Sequence, residues 1–191
     1  MPTNNSVNVG LAGSTGTGSF VGSAAPTFTG VPILAAPSAT SLTFSSTSGL
    51  IGTTTNNNAA AGSVGQYIES LVEAGAAVAV TSVVAKTITS ISLTAGDWEV
   101  YGMVGSLGAA TTATSQVIGG TSLVNDTLSP SQLDYCIDYP ETTSPNLFVQ
   151  IAIPTRRFSI ASTTTVFLIG RTVFLTSTCT MFGKICARRV R

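Results

Sequence analysis

The sequence predicts an all-β fold, in which an extended N-terminal arm (residues 1–62) is followed by a jelly-roll-like β-sandwich (residues 63–191). Three observations predict this fold. No charged side chain precedes Glu69, short runs with alternating apolar and polar residues follow the leader, and turn-forming residues separate these runs. Many short alternating runs divided in this way are typical of β-sandwiches and barrels.

The arm consists mainly of Ser, Thr, Gly, Ala, Asn and Pro. Such a segment buries too little apolar surface to offset its own chain entropy, so we expect it to become ordered along a partner; the alternative is a disordered tail. Its apolar residues follow no sustained helical or strand period. This pattern favours an arm that places single apolar side chains on a partner surface, and the side chains expected to dock are Leu11, Phe20, Val21, Phe28, Ile33 and Leu34.

The strands are predicted from alternation after the arm. Residues 63–72 are ambiguous, because their apolar residues also fit a short amphipathic helix. Residues 90–94 and 98–104 alternate with period two, and Ala95, Gly96 and Asp97 between them supply a turn. Less regular strands are expected at residues 114–118, 147–153, 164–174 and 178–187.

Turn formers and glycines complete the predicted outline. Turns are expected at Gly119-Gly120, Ser129-Pro130, Pro140, Ser144-Pro145 and Pro154. Glycine inside a strand indicates a bulge or a close approach of another backbone, and Gly102 and Gly170 are such positions. The side chains expected in the core are Trp98, Val100, Val104, Ile118, Phe148, Ile151, Ile153, Phe158, Val166, Leu168, Val173, Phe182 and Ile185.

Charge is segregated along the chain. All eight acidic residues lie between Glu69 and Glu141, and seven of the eight basic residues lie between Arg156 and Arg191, Lys86 being the exception. The net charge of zero provides no general attraction to nucleic acid, so ion pairs within or between subunits are expected instead. Only 8% of the residues are charged, which indicates that part of the surface is buried in an oligomer or covered by a partner.

The composition excludes several classes of function. The chain has no histidine, so Ser–His and Cys–His nucleophile pairs and His-containing metal sites are excluded. The three cysteines, Cys136, Cys179 and Cys186, are expected to be reduced and mostly buried, although a Cys179–Cys186 bridge is conceivable. No cofactor is expected. The sequence shows no secretory signal and no run near the ~20 apolar residues of a membrane helix, so synthesis in a cytoplasm and no membrane partner are expected.

Two clusters have residue types that suggest a site. Asp97 and Glu99 flank Trp98 in the manner of a carboxylate pair beside a sugar-stacking aromatic, but strand alternation favours a turn Asp, a buried Trp and an exposed Glu. An acidic and aromatic segment is predicted to contact a receptor or glycan. Its spacing matches no EF-hand loop, so no metal is expected there, and its residues are Asp134, Tyr135, Asp138, Tyr139 and Glu141.

The C-terminal arginines, Arg188, Arg189 and Arg191, have little specificity as a nucleic-acid motif. Arginine also forms bidentate pairs with carboxylates. Since the same chain contains an acidic segment, ion pairs are the preferred interpretation.

Several segments resemble the fibre proteins of bacteriophage virions. The arm includes NVGLAGSTGTGSFVGSAAPTFTG at residues 8–30, which is similar to repeats of phage tail-fibre chains. A recurrent β-domain of phage structural proteins begins with a segment similar to GTTTNNNAAAGSVGQYIES at residues 52–70. It continues with segments similar to TSISLTAGDWEVYG (89–102), PTRRFSIASTTTVFLIG (154–170) and GKICARRVR (183–191).

The resemblance implies a virion appendage or decoration protein that is trimeric and has no catalytic activity. A full tail fibre is much longer and has a repetitive shaft, whereas this chain has one arm and one domain. The hypothesis is therefore a virion structural protein, made in the host cytoplasm, that docks on other virion proteins through the arm and projects a β-domain. The alternatives are a capsid decoration (cement) protein and an adhesion module that binds a host surface glycan.

Overall fold

The computed structural model of the protein describes residues 55–140 and 148–191, and these residues are mostly β-structure. Their helical elements are two three-residue 3₁₀ turns, Ala74–Ala76 and Gln132–Asp134. The all-β class is thereby confirmed. The strands are β1 (Tyr67–Val72), β2 (Val78–Val80), β3 (Lys86–Leu93), β4 (Gly96–Gly108), β5 (Ala113–Ser122), β6 (Tyr135–Asp138), β7 (Phe148–Ile160), β8 (Thr164–Leu175) and β9 (Cys179–Arg189).

The strands form two antiparallel sheets. Sheet A has the order β1-β9-β4-β7, with β2 also paired to β9, and sheet B has the order β3-β8-β5-β6. From β3 onward the chain changes sheet at every connection except that between β5 and β6. Fully buried side chains from both sheets, such as Trp98 and Ile185 of sheet A and Val166 and Leu168 of sheet B, belong to one core cluster.

The alternating runs form strands as predicted. In β3 the buried Ile91 and Leu93 alternate with exposed serines, and in β4 the fully buried Trp98 and Val100 enclose the exposed Glu99. The ambiguous segment is resolved as a strand, because residues 67–72 pair along their length with β9. Ile68 and Val72 of this strand pack against the core.

Two of the predicted turns lie inside strands. Gly119 and Gly120 are internal to β5, where a Cβ atom on Gly119 would lie 2.9 Å from Val104, so the missing side chain lets the two sheets approach. Pro154 is internal to β7. A strand tolerates proline at an edge or a bulge, and β7 is both the edge of sheet A and irregular opposite Tyr101.

Four of the predicted core residues lie outside the core cluster; Ile118 and Phe182 are nevertheless buried, whereas Phe148 and Val173 are not. Phe148 is 52% exposed and stacks on Phe182 with a centroid separation of 5.3 Å. Val173 is half-buried, whereas its neighbours Thr172 and Phe174 are buried. The irregular pairing of β5 with β8 next to Val173 accounts for this, since a register shift changes which residues face the core.

Both glycines expected at close approaches are in such positions. A Cβ atom on Gly102 would lie 2.1 Å from the carbonyl oxygen of Lys184, in the neighbouring strand. A Cβ atom on Gly170 would lie 2.7 Å from the methyl carbon of Met181, which is fully buried between the sheets. These glycines therefore set the separation of strands and of sheets.

A buried arginine closes the end of the core where the domain begins and ends. The guanidinium of Arg189 stacks on Trp98 at 4.4 Å and donates hydrogen bonds to the carbonyl of Ala95 (2.9 Å) and the hydroxyl of Thr94 (2.5 Å). Its backbone N–H donates to the carbonyl of Gln66, and its carbonyl accepts from the N–H of Gly65. Arg189 thus joins the residues just before β1 and just before β4 to the end of β9.

Candidate binding surfaces

The first residue of the predicted receptor segment, Asp134, is held in an ion pair. Its carboxylate lies 2.9 Å from Nη2 of Arg156, and both side chains are about four-fifths buried. Nη1 of Arg156 donates to the carbonyl and the hydroxyl of Thr121, and its guanidinium lies 4.7 Å from the ring centroid of Phe158. Asp134 therefore connects the segment before β6 with β5 and β7.

The other residues of that segment lie around β6. Tyr135 and Asp138 are half-buried and, three positions apart in one strand, point to opposite faces of sheet B. Tyr139 follows the strand and is 66% exposed. Glu141 lies outside the described residues. The part of the segment that the structure describes therefore distributes its acidic and aromatic side chains over different surroundings.

The residues predicted to dock the arm, Leu11, Phe20, Val21, Phe28, Ile33 and Leu34, lie outside the described residues. Nothing in the structure bears on their contacts.

The Asp97–Trp98–Glu99 triplet has a buried Trp and an exposed Glu, as expected, but Asp97 is the second residue of β4 and is buried. One of its carboxylate oxygens lies 2.9 Å from Nη2 of Arg157 and pairs with Arg191. Hydrogen bonding to Arg157, more than any other contact, lowers the pKa of Asp97. Two basic partners make this carboxylate a structural anchor for the C-terminus.

The C-terminal arginines differ from one another. Arg191 pairs with Asp97, as the preferred interpretation expects. Arg189 is buried and its side-chain hydrogen bonds go to neutral oxygens. Arg188 is exposed and lies beside Glu99 in the β4–β9 register.

The three cysteines are free thiols, as predicted. Cys136 is half-buried, and Cys179 and Cys186 are buried. Cys179 faces the hydroxyl of Ser106 at 3.1 Å, whereas Cys186 lies on the opposite face of β9.

A groove lies on the outer face of sheet A, the face turned away from the core. Its volume is about 390 Å³. The side chains that line it alternate along their strands with core residues, and Gly102 contributes backbone. We call this feature the sheet A groove, and its side chains are Tyr67 of β1, Tyr101 and Met103 of β4, Ala152 of β7, and Lys184 and Cys186 of β9.

A hydrogen-bonded network fixes one wall of the sheet A groove. The hydroxyl of Tyr67 donates to Glu69 Oε2 at 2.7 Å and lies 3.0 Å from Cys186 Sγ. Lys184 Nζ lies 2.6 Å from the same Glu69 oxygen. The groove therefore has an ammonium and a phenol whose positions a single carboxylate holds.

The network shifts the pKa values of Glu69, Lys184 and Tyr67. Hydrogen bonding to Lys184 and then to Tyr67 lowers the pKa of Glu69, and the bond to Glu69 raises the pKa of Lys184. Burial, followed by the contacts with Cys186 and Glu69, raises the pKa of Tyr67. At neutral pH the wall is therefore a carboxylate–ammonium pair beside a neutral phenol.

The sheet A groove is not recognisable from the sequence alone. Its lining comes from four strands that are separated by up to 119 positions, as for Tyr67 and Cys186. The sequence does contain a signal for the groove, namely the residues of each alternating run that face away from the core: Tyr67, Glu69 and Leu71 in β1, and Tyr101 and Met103 in β4. Only the strand order β1-β9-β4-β7 brings these outward-facing residues together.

The described residues contain no group of three or more acidic or cysteine side chains placed to hold a metal ion. In the same part of the chain, no helix has the length and apolar character needed to span a membrane.

In comparisons with known proteins, no family model matches this chain, and no curated protein is significantly similar to it in sequence.

Proposed function

We propose that the chain is a non-enzymatic structural protein of a bacteriophage virion. In this proposal residues 1–62 are an extended arm that docks on other virion proteins. Residues 63–191 form a jelly-roll β-sandwich that projects from the particle as a homotrimer.

The observation that carries the proposal is the order of the strands. A jelly roll consists of eight strands in two sheets built from two Greek keys, and it is an architecture of viral capsid and lectin domains. If the short β2 is set aside, the remaining eight strands run β1-β9-β4-β7 in one sheet and β3-β8-β5-β6 in the other. Counted along the chain without β2, the first strand neighbours the eighth, the third neighbours the sixth, the second neighbours the seventh and the fourth neighbours the fifth. Two Greek keys require these neighbours.

The two ends of the domain differ in a way that suits a projecting module. At one end, which we call the terminal end, the N–H of Gly65 donates to the carbonyl of Arg189. The beginning and the end of the β-domain therefore lie side by side. At the opposite end, which we call distal, the connections after β2, β4 and β8 meet, for example through the bond from Ala109 N–H to Thr178 carbonyl. The distal end exposes Val83 and Leu175, which leaves apolar side chains at the end opposite Gly65 and Arg189.

Ion pairing supports a structural role. Four of the described carboxylates have basic partners in the same chain: Glu69 with Lys184, Asp97 with Arg157, Asp126 with Lys86, and Asp134 with Arg156. Each pair joins different strands or connections. The carboxylates therefore join separate structural elements. A general acid–base pair would instead require carboxyl groups directed at a common substrate.

The test is the mass of the purified protein by light scattering, for the full chain and for residues 63–191. We expect three times the 19.3 kDa chain mass for the full chain, and a trimer that survives deletion of the arm. A full chain that is monomeric at all concentrations would overturn the trimer. A monomeric β-domain from a trimeric full chain would favour the alternative of a cement protein that the arm and the particle hold in place.

Gold-labelled antibodies against the protein, applied to particles of the phage that encodes it, separate the remaining alternatives. Label confined to the tail or a vertex is expected for an appendage. Label over the whole capsid would indicate a cement protein, and unlabelled particles would overturn a virion location.

A further inference from the structure

We infer that the sheet A groove binds a neutral saccharide. The inference goes beyond the proposed function, because it concerns only described residues of the β-domain and does not depend on where the protein sits in a particle.

The size and the construction of the groove suit a small ligand. Its volume of about 390 Å³ lies within the ~300–1,000 Å³ that is usual for small-molecule sites. Its floor is the hydrogen-bonded backbone of β4 between β9 and β7. Ala152 is the partner of Met103 across the β4–β7 pair, and its small side chain leaves space beside the methionine. The site is therefore formed before any ligand arrives.

The chemistry of the lining matches a sugar ring, which presents an apolar C–H face and a rim of hydroxyl groups. Tyr67, Tyr101 and Met103 supply aromatic and thioether contact. Lys184 has two N–H donors beyond the one directed at Glu69, and the tyrosines supply hydroxyls. The groove thus offers apolar side chains to the face of the ring and polar groups to its hydroxyls.

Electrostatics favours a neutral ligand. The ammonium of Lys184 is neutralised by Glu69 at 2.6 Å, and Lys184 is the only charged residue among those that line the groove in the described part of the chain. An ionic ligand would meet a pair whose charges already balance, so its own charge would remain uncompensated unless the pair were broken. A neutral hydroxyl forms a hydrogen bond with the pair intact.

The surroundings of the groove argue against a second copy of the chain as its occupant. Beside the groove, Glu99 of β4 lies between its register partners, Arg157 of β7 and Arg188 of β9. Arg157 is 60% exposed. An interface between copies would remove these charges from water, which is unfavourable unless each finds a new partner. A saccharide in the groove leaves them hydrated.

The test uses the full chain with ¹³C-labelled methionine methyl groups, observed by NMR. Met103 is 39% exposed in the groove, and Met181 is fully buried in the core and serves as an internal control. The Met103→Leu variant identifies the Met103 signal. The probes are maltose, cellobiose, lactose and chitobiose, each titrated to the millimolar concentrations at which weak ligands bind. We expect at least one probe to shift the Met103 signal saturably while the Met181 signal stays in place.

Two variants make the test specific. Tyr101→Ala removes an aromatic wall and should weaken binding about tenfold, with an unchanged Met181 signal as evidence that the core is intact. Tyr139→Ala, at the exposed tyrosine of the sequence-predicted receptor segment, should bind as the wild type does. If none of the four probes shifts Met103, if Tyr101→Ala binds with wild-type affinity, or if the Met103 signal instead depends on protein concentration, the saccharide assignment is overturned; the last result would identify an interface between copies.

Discussion

At the scale of single residues, the buried Arg189 stands out because its side-chain partners are neutral. Three acceptors and the face of Trp98 surround it, and it is 6% exposed. A guanidinium keeps its charge at any accessible pH and presents five donors in a fixed fork. Its role follows from that geometry, since several carbonyl and side-chain oxygens at one end of the core need a donor.

We therefore expect Arg189→Leu to lower the free energy of unfolding by about 3 kcal/mol, because it leaves buried acceptors unpaired and removes the cation–π contact. The stability of Arg189→Lys should lie between those of the wild type and Arg189→Leu, since an ammonium cannot reproduce the fork of donors. The control is Arg188→Leu at the exposed neighbouring position, which should change stability by less than about 0.5 kcal/mol. Urea unfolding of the four proteins is the measurement, and equal losses for positions 188 and 189 would contradict this role.

At the scale of elements, the close contact of β4 with β9 depends on the absence of a side chain at position 102. A Cβ atom there would lie 2.1 Å from the backbone oxygen of Lys184, and a backbone atom cannot move aside as the end of a side chain can. We expect Gly102→Ala to destabilise the protein by about 2 kcal/mol through forced separation of the strands. Gly75→Ala is the matched control, because nothing lies within 4 Å of that position, and its unfolding curve should be close to that of the wild type. Coincident curves for the two variants would show that β4 and β9 adjust freely.

Periodicity identified the strands whose two faces have different surroundings. Residues 90–94 and 98–104 alternate because one face meets the core and the other meets solvent, and β3 and β4 contain them. Residues 63–72 were ambiguous, since a six-residue strand is too short to separate a period of 2 from one of 3.6, and its pairing with β9 decides the matter. The positions of Gly119 and Pro154 inside strands depend on packing between sheets and on an edge bulge, and neither is a local property of sequence.

The candidate site was less accessible to prediction than the fold. The run of residues 134–141 resembles a site in the sequence because its acidic and aromatic residues are adjacent. In the structure Asp134 forms an ion pair with Arg156, and Tyr135 and Asp138 point to opposite faces of one strand. The sheet A groove, by contrast, takes at most two lining side chains from any one strand. Its composition becomes visible only when the strand order is known.

At the scale of the whole molecule, the segregation of acidic and basic residues along the chain disappears on folding. The later, basic strands β7 and β9 pair with the earlier, acidic strands β1 and β4, so opposite charges meet across the sheet within one chain. The sequence left open whether such pairs join residues within a subunit or between subunits. Five ion pairs form within one chain: Lys86–Asp126, Arg156–Asp134, Arg157–Asp97, Lys184–Glu69 and Arg191–Asp97.

This arrangement predicts that self-association of the chain is insensitive to salt. Because four of the acidic side chains already have basic partners within the chain, we expect contacts between copies to rest mainly on apolar and uncharged polar groups, which salt does not screen. The Debye length falls from about 10 Å at ~0.1 M to about 3 Å at ~1 M ionic strength, so an assembly held by exposed ion pairs would weaken over this range. We expect light scattering to give the same mass for the full chain at both concentrations. Dissociation at the higher concentration would instead show that charges such as Glu99 and Arg188 pair between subunits, and would place the contact on the outer face of sheet A, where the saccharide is proposed to bind.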